Sequence, residues 1–393
     1  MADFNGKPSQ IGSDDKARGA HANTVSPARK SLPLANALRL TTPQPARNPN
    51  PTTKATSLAY MIFERPDLDL AEKFLIDFGL REAHKAPDVL LMRGTGPAPY
   101  CYVALRGPKA RFLGLGFTVG SLEDLNRLAA LPESSPVEDI SWPGGGKRVR
   151  MTDPAGLRVD ALWGQNPAER LPHRAAIKMN EPDHPIRVDG TQRPPPAPPE
   201  IVRLGHLQLG APNFQEVSAW YTSRLGLIPS DICVLPDGSP GACFFRLDLG
   251  DTPADHHTLA LSMHFMTDYG HSAYEVVDAD AVGMGQRVLQ KRGWRHAWGI
   301  GRHILGSQIF DYWEDPWGAK HEHYCDGDVF TAARPTEIHA LSREGMAQWG
   351  PDMPKRFTRP EISLASLKEL VHSLRAYDDL SLKKLITLLK IVA

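Results

Sequence analysis

The property that most restricts this chain is that it repeats itself. Residues 58–80, LAYMIFERPDLDLAEKFLIDFGL, run parallel to residues 204–227, LGHLQLGAPNFQEVSAWYTSRLGL, with a single-residue gap. Each reads as a strand, a proline-marked turn and an amphipathic helix closed by a glycine, Gly79 or Gly226, where a left-handed cap belongs. Further on, LGLGFTVGSLEDLNRL and HSAYEVVDADAVGMGQRVL repeat strand then helix. DPAGLRVDALWG and DPWGAKHEHYCDG repeat a tight turn running into a strand. Self-similarity on this scale predicts an α+β protein of two tandem domains, each built from paired βαβββ modules.

The expected divisions follow. Residues 1–55 hold one aromatic, Phe4, among many Pro, Ser, Asn and Thr, a composition that buries too little apolar surface to offset ordering, so disorder is expected there. Residues 56–164 form the first domain and 201–330 the second. Between them, 165–200 is a linker ending in the polyproline-favouring run RPPPAPP. Residues 331–393 carry apolar positions at helical spacing in ISLASLKELVHSLRAY and LSLKKLITLLKIVA and are expected to form a helical extension. Lys+Arg and Asp+Glu both number 45, so the basic excess of a nucleic-acid binder is missing. No apolar run approaches the ~18 residues of a membrane span. No secretory signal opens the chain, and the four cysteines form no CxxC pair, which together point to reduced thiols and a cytoplasmic protein.

The repeat is also an internal control. Tyr60 stands opposite His206, Gly114 opposite His271 and Asp160 opposite Glu322. Only the second copy offers two imidazoles and a carboxylate from three strand-like segments. That donor set is the facial triad that holds Fe(II) and leaves one side of the ion open; Mn(II) would suit the same donors. Period-two alternation puts His206 on one face of its strand. Within HEH, parity does not choose between Glu322 and the pair His321 and His323.

These segments, GH at 205–206, HSAYEV, and DPxG followed by Glu322 and CDGD, resemble the type I extradiol ring-cleaving dioxygenases of the vicinal oxygen chelate superfamily, near the catechol 2,3-dioxygenase and dihydroxybiphenyl dioxygenase groups. The likeness spans about residues 56–330 and is stronger in the second half. It implies Fe(II) on His206, His271 and Glu322, a catecholic substrate, O₂, and a muconate-semialdehyde type of product. It implies that His257, in DHHTLALS, lies beside the dioxygen site, with His256 facing away. It further implies that His303 and Tyr312, in GRHILGSQIFDYWEDPWG, meet the substrate's hydroxyls, and that the chain is a homo-oligomer; charge balance and the lack of a long apolar run predict binding to neither nucleic acid nor membrane. Two alternatives stand beside it: an enzyme resembling 4-hydroxyphenylpyruvate dioxygenase, and a non-catalytic small-molecule binder of the same fold.

Overall fold

A computed structural model describes residues 40–358 and 363–392. The first half runs β1 (Ala55–Arg65), α1 (Leu68–Phe78), β2 (Arg81–Ala86), β3 (Val89–Arg93), β4 (Tyr102–Arg106), β5 (Arg111–Val119), α2 (Leu122–Ala129), β6 (Glu138–Asp139), β7 (Lys147–Thr152) and β8 (Arg158–Trp163). The second runs β9 (Ile201–Ala211), α3 (Phe214–Leu225), β10 (Ile228–Val234), β11 (Pro240–Arg246), β12 (Ala254–Asp255), β13 (Leu259–Met263), β14 (Asp268–Val276), α4 (Ala279–Lys291), β15 (Arg295–Arg302), β16 (Ile309–Glu314), β17 (Lys320–Cys325), β18 (Val329–Phe330) and β19 (Glu337–Ala340). Helices α5 (Leu364–Ala376) and α6 (Leu382–Val392) follow.

Each half builds one large sheet. The first has the order β2-β3-β4-β1-β5-β8-β7-β6, the second β15-β16-β17-β14-β9-β13-β11-β10-β19. In both, the leading strands of two modules meet antiparallel at the centre, β1 on β5 and β9 on β14. The last strand of each module returns parallel to its own first strand. This is the paired βαβββ arrangement that the repeat implies.

Local chemistry sets the module boundaries. Asp67 caps α1 by accepting from the Leu70 N–H, and Gly79 ends it at φ 115°, a conformation that side chains with a Cβ avoid. Leu68, Ala71, Phe74, Leu75 and Phe78 form the helix's buried stripe.

The two halves are joined by a buried ion pair, Arg65 Nη2 to Asp315 Oδ2 at 2.7 Å, both side chains almost wholly excluded from solvent. Asp315 belongs to the DPWG turn that launches β17. His321 sits among the rings of Phe63, Phe74, Phe78 and Tyr102, while His323 stacks on Phe78 at 3.9 Å and donates from Nε2 to the Phe78 carbonyl. One face of β17 is thus committed to the contact between halves.

Two segments differ from the sequence expectation, and the linker is held more firmly than a spacer need be. Of the stretch expected to be disordered, residues 40–54 lie within the described structure and are held there: Arg47 and Lys54 both pair with Asp248, and Thr52 N–H bonds the Ser223 carbonyl. Charge complementarity and backbone bonding replace the missing apolar area. Residues 1–39 lie outside the described residues. The linker has no regular secondary structure over most of its length, yet it is tied down by Arg174 on Asp278, the N-cap of α4, and by Leu171 N–H on the Thr95 carbonyl. Residues 331–393 do not begin as helix. Strand β19 pairs parallel with β10 and widens the second sheet beyond Phe330, because Ile338 and its neighbours complete an edge that β10 leaves open. Only 364 onward is helical. No helix among the described residues is long and apolar enough to cross a membrane.

Candidate metal centre

His206, His271 and Glu322 come together. His206 on β9 and Glu322 on β17 both lie opposite Ala273 of the intervening β14, and His271 is two residues earlier on that strand. Period-two geometry puts all three on one face, and a methyl group at Ala273 lets the flanking side chains meet across it. His206 Nε2 is 3.2 Å and His271 Nε2 3.4 Å from Glu322 Oε2. One donor atom from each residue lies within 4.8 Å of the others. Gly205 beside His206 is required by close approach: a Cβ there would come within 2.0 Å of the Tyr324 hydroxyl.

The parity question in HEH is answered by packing. Both faces of β17 are buried, one by the first half of the chain through His321 and His323, the other by the donor cluster through Glu322.

The cluster lacks something that these atoms could satisfy among themselves. Both carboxylate oxygens of Glu322 are buried with no hydrogen-bond partner among the described residues, although two imidazole nitrogens lie near one of them. An unpaired buried carboxylate is costly. Donors converging on a common point rather than on one another fit a divalent cation, and two imidazoles with one carboxylate fit Fe(II) or Mn(II). Burial drives the His271 imidazole down to about 3, against the opposing pull of Glu322. It is therefore neutral at physiological pH, as a ligand must be. Burial also opposes the Glu322 charge, but His206, His271 and His303 outweigh it and hold the carboxyl below its usual range.

The remaining expected residues surround this point. His257 precedes β13 and packs against His206, ring centroids 4.1 Å apart. Burial, then His206 and His256, push its basicity well down. Tyr312 on β16 lies in register with Glu322, and its hydroxyl is 2.9 Å from His303 Nε2. His303 Nδ1 is 2.8 Å from the Met346 carbonyl, which can only accept. Nδ1 therefore carries the proton, and Nε2 is an acceptor for the Tyr312 hydroxyl. Burial lowers His303 and raises Tyr312 well above its ordinary value, with Glu322 adding to the latter shift.

Several neighbours carry no clear mark in the sequence. Trp298 stacks parallel to Tyr312 at 5.6 Å, and Phe357 approaches both rings edge-on. Met346 and Phe357 come from the segment beyond β19, whose backbone binds the site through Arg302 N–H on the Trp349 carbonyl and Trp298 Nε1 on the Pro351 carbonyl. His256 points away from the ligand cluster and is buried, with Nδ1 2.9 Å from His257 Nδ1 and Nε2 2.5 Å from Asp231 Oδ2. A single charged residue, Asp231, in the fully buried strand IPSDICV is the signal that marks this neighbour.

No family model matches the chain. It is 30% identical over 309 residues to metapyrocatechase 2 of Cupriavidus necator, covering 77% of this chain and 91% of that protein. Its fold matches the Mn(II)-bound glyoxalase of Novosphingobium aromaticivorans with a TM-score of 0.66 at 21% identity, over 79% of this chain and 97% of the other. It also matches the anaerobic complex of Brevibacterium fuscum homoprotocatechuate 2,3-dioxygenase with 3,4-dihydroxyphenylacetate, TM-score 0.65 at 18% identity, over 81% and 96%. Four βαβββ modules with a two-histidine, one-carboxylate cluster in the later pair define a vicinal oxygen chelate protein. With the metapyrocatechase likeness, the chain belongs to the extradiol ring-cleaving dioxygenases of that superfamily. It is an enzyme acting on catechols, and the reading as a non-catalytic binder is set aside.

Proposed function

We propose that this protein is an Fe(II)-dependent dioxygenase that opens a catechol ring beside its two hydroxyls, giving a muconate-semialdehyde type of product, with His206, His271 and Glu322 as the metal ligands. The observation that carries this reading is the pair of orphaned Glu322 oxygens facing the imidazoles of His206 and His271, with Tyr312 and His303 hydrogen-bonded at the edge of the same cluster. A divalent iron ion held there would supply a common anchorage for catechol and O₂ and a path for electrons between them.

The chain's own groups do the rest. His303 Nε2, bare in the resting enzyme, takes a catechol hydroxyl proton directly or through the Tyr312 hydroxyl. Tyr312, kept protonated by its surroundings, then donates a hydrogen bond to the oxygen that has lost its proton. His257, on the His206 side, is the acid–base group for atoms derived from O₂. Trp298 and Phe357 give the aromatic ring a flat apolar wall and exclude water. The test is direct: enzyme loaded anaerobically with Fe(II), mixed with simple, alkyl- and aryl-catechols and then exposed to air, yields a yellow ring-opened product. Full iron occupancy with no ring opening across that panel defeats the reading.

A further inference from the structure

Behind His257 lies a line of buried groups that the proposed chemistry does not use. Asp231, in β10, is almost fully buried, and its carboxylate stands between two imidazoles. Oδ2 meets His256 Nε2 at 2.5 Å, and Oδ1 meets His339 Nε2, from β19, at 2.7 Å. Glu337, on the same strand and partly exposed, lies 3.8 Å from His339 Nε2. His256 also packs against the rings of Phe244 and Phe330, and a Cβ at Gly306 would come within 3.1 Å of its Nδ1, which leaves it little freedom to turn.

The direction of every hydrogen bond in this line is fixed from its Asp231 end. Between two histidines Asp231 is held well below the usual carboxylate range despite its burial, so it only accepts. His256 must then carry a proton on Nε2, and a ring bearing that one proton accepts at Nδ1. His257 Nδ1, 2.9 Å away, must be the donor. A neutral His257 with its proton on Nδ1 presents a bare Nε2, the nitrogen across the ring, to the metal-centre side.

We propose that Asp231 and His256 are positioning residues that lock His257 into the Nδ1–H tautomer, with His339 clamping the Asp231 carboxylate. This deepens the ring-cleavage reading and rests on it. The locked tautomer makes resting His257 a hydrogen-bond acceptor. It must gain a proton at Nε2 before it can give one to an oxygen atom there. The second sheet is widened by β19 for this purpose as well as for stability, since without that strand Asp231 Oδ1 would have no imidazole partner.

The test combines structure and rate. In the full-length chain loaded with Zn(II), ¹⁵N spectra should show His257 protonated on Nδ1, and a far-downfield proton from the His256–Asp231 bond should disappear in Asp231→Asn. In the Fe(II) enzyme, Asp231→Asn should lower kcat about 10²-fold while anaerobic catechol affinity and metal content stay at wild-type levels. His256→Gln, which can donate to Asp231 and accept from His257, should recover most of the rate that His256→Leu loses. A His257 ring protonated on Nε2 in the wild type would overturn the proposal, as would equal rates for His256→Gln and His256→Leu. So would a second metal equivalent per chain that vanishes in His339→Ala, because Asp231, Glu337 and His339 would then hold a cation. Ring opening by the wild type with an unaffected Asp231→Asn variant would sink this inference alone; no ring opening by the wild type would sink the underlying function.

Discussion

Tyr60 donates a hydrogen bond to Asp160 Oδ2 at 2.7 Å at the register positions that His206 and Glu322 hold in the second half. Both members of the first pair lie opposite Gly116, just as both members of the second lie opposite Ala273. Arg158 grips the two Asp160 oxygens at 2.7 and 2.6 Å, so that carboxylate is satisfied by protein alone. The first half has closed with a hydroxyl and a guanidinium the position that the second half leaves unsatisfied. Tyr60→Phe should cost about 1–3 kcal/mol of stability, measured by urea denaturation, and leave ring-opening kcat unchanged. A fall in kcat matching the loss of stability would mean that the first half does more than support the second.

Arg65 and Asp315 make a different demand. Removing one partner of a buried pair strands the other, which costs about 3–5 kcal/mol. Arg65→Met should therefore lower the unfolding midpoint strongly. Adding Asp315→Asn should restore part of the loss, since an amide oxygen can still accept from the Trp317 and Ala319 N–H groups. Equal stability of the single and double variants would show that the charge left behind is not what costs.

Acid should destabilise the metal-free chain earlier than carboxylate titration would. His257, His271, His303, His321 and His323 are all depressed in the fold, each chiefly by burial. An imidazole whose folded value is depressed takes up its proton more readily when unfolded. Stability is then undiminished above the unfolded value of about 6.5 and falls as pH drops below it, until the folded groups titrate, about 4 for His323 and about 3 for His271. Each such group removes about 1.4 kcal/mol by pH 5.5. Urea midpoints should be level from pH 8 to 7 and steeply lower at 5.5; a level profile down to pH 5 would contradict these assignments.

The parts legible in the sequence are those governed by periodicity and by the repeat. Gly79 and Gly226 announce their helices' ends because few other residues take that backbone conformation. Comparing Tyr60 with His206, and Asp160 with Glu322, separates fold from chemistry without any structure. The HEH segment is not legible in this way: alternation assigns faces only where one face is wet, and β17 is buried on both sides. Nor is the contribution of β19, Met346 and Phe357. Their roles depend on where a long irregular segment lands, and that is decided by contacts as far as 108 residues away in sequence. Residues 40–54 escape for a related reason, since Arg47 and Lys54 are ordered by Asp248, a partner that composition does not reveal.

Glu322 couples metal to stability. Metal that binds only the folded chain stabilises it by about 2.7 kcal/mol when present at a hundred times its dissociation constant. The wild type should therefore show a metal-dependent rise in Tm, with one equivalent retained per chain. Glu322→Gln removes the anionic ligand but keeps its volume, and should abolish both the rise and ring opening. An undiminished metal-dependent rise in Glu322→Gln would place the ion elsewhere.

His303 and Tyr312 separate rate from binding of the metal. His303 Nδ1 donates to the Met346 carbonyl, so its Nε2 can serve as the base; the Tyr312 hydroxyl donates to that nitrogen. His303→Gln should lower kcat about 10²- to 10⁴-fold, the range that a positioned acid–base group contributes. Tyr312→Phe keeps the ring that stacks on Trp298 and should lose less, because His303 can still reach the substrate hydroxyl unaided. Phe357→Ala should act mainly on KM, by opening the apolar wall rather than by touching the proton path. Steady-state kinetics at full metal occupancy, with metal counted in each variant, distinguish these effects. Loss of metal in step with loss of activity in His303→Gln would show that the residue supports the ligand cluster and is not the base.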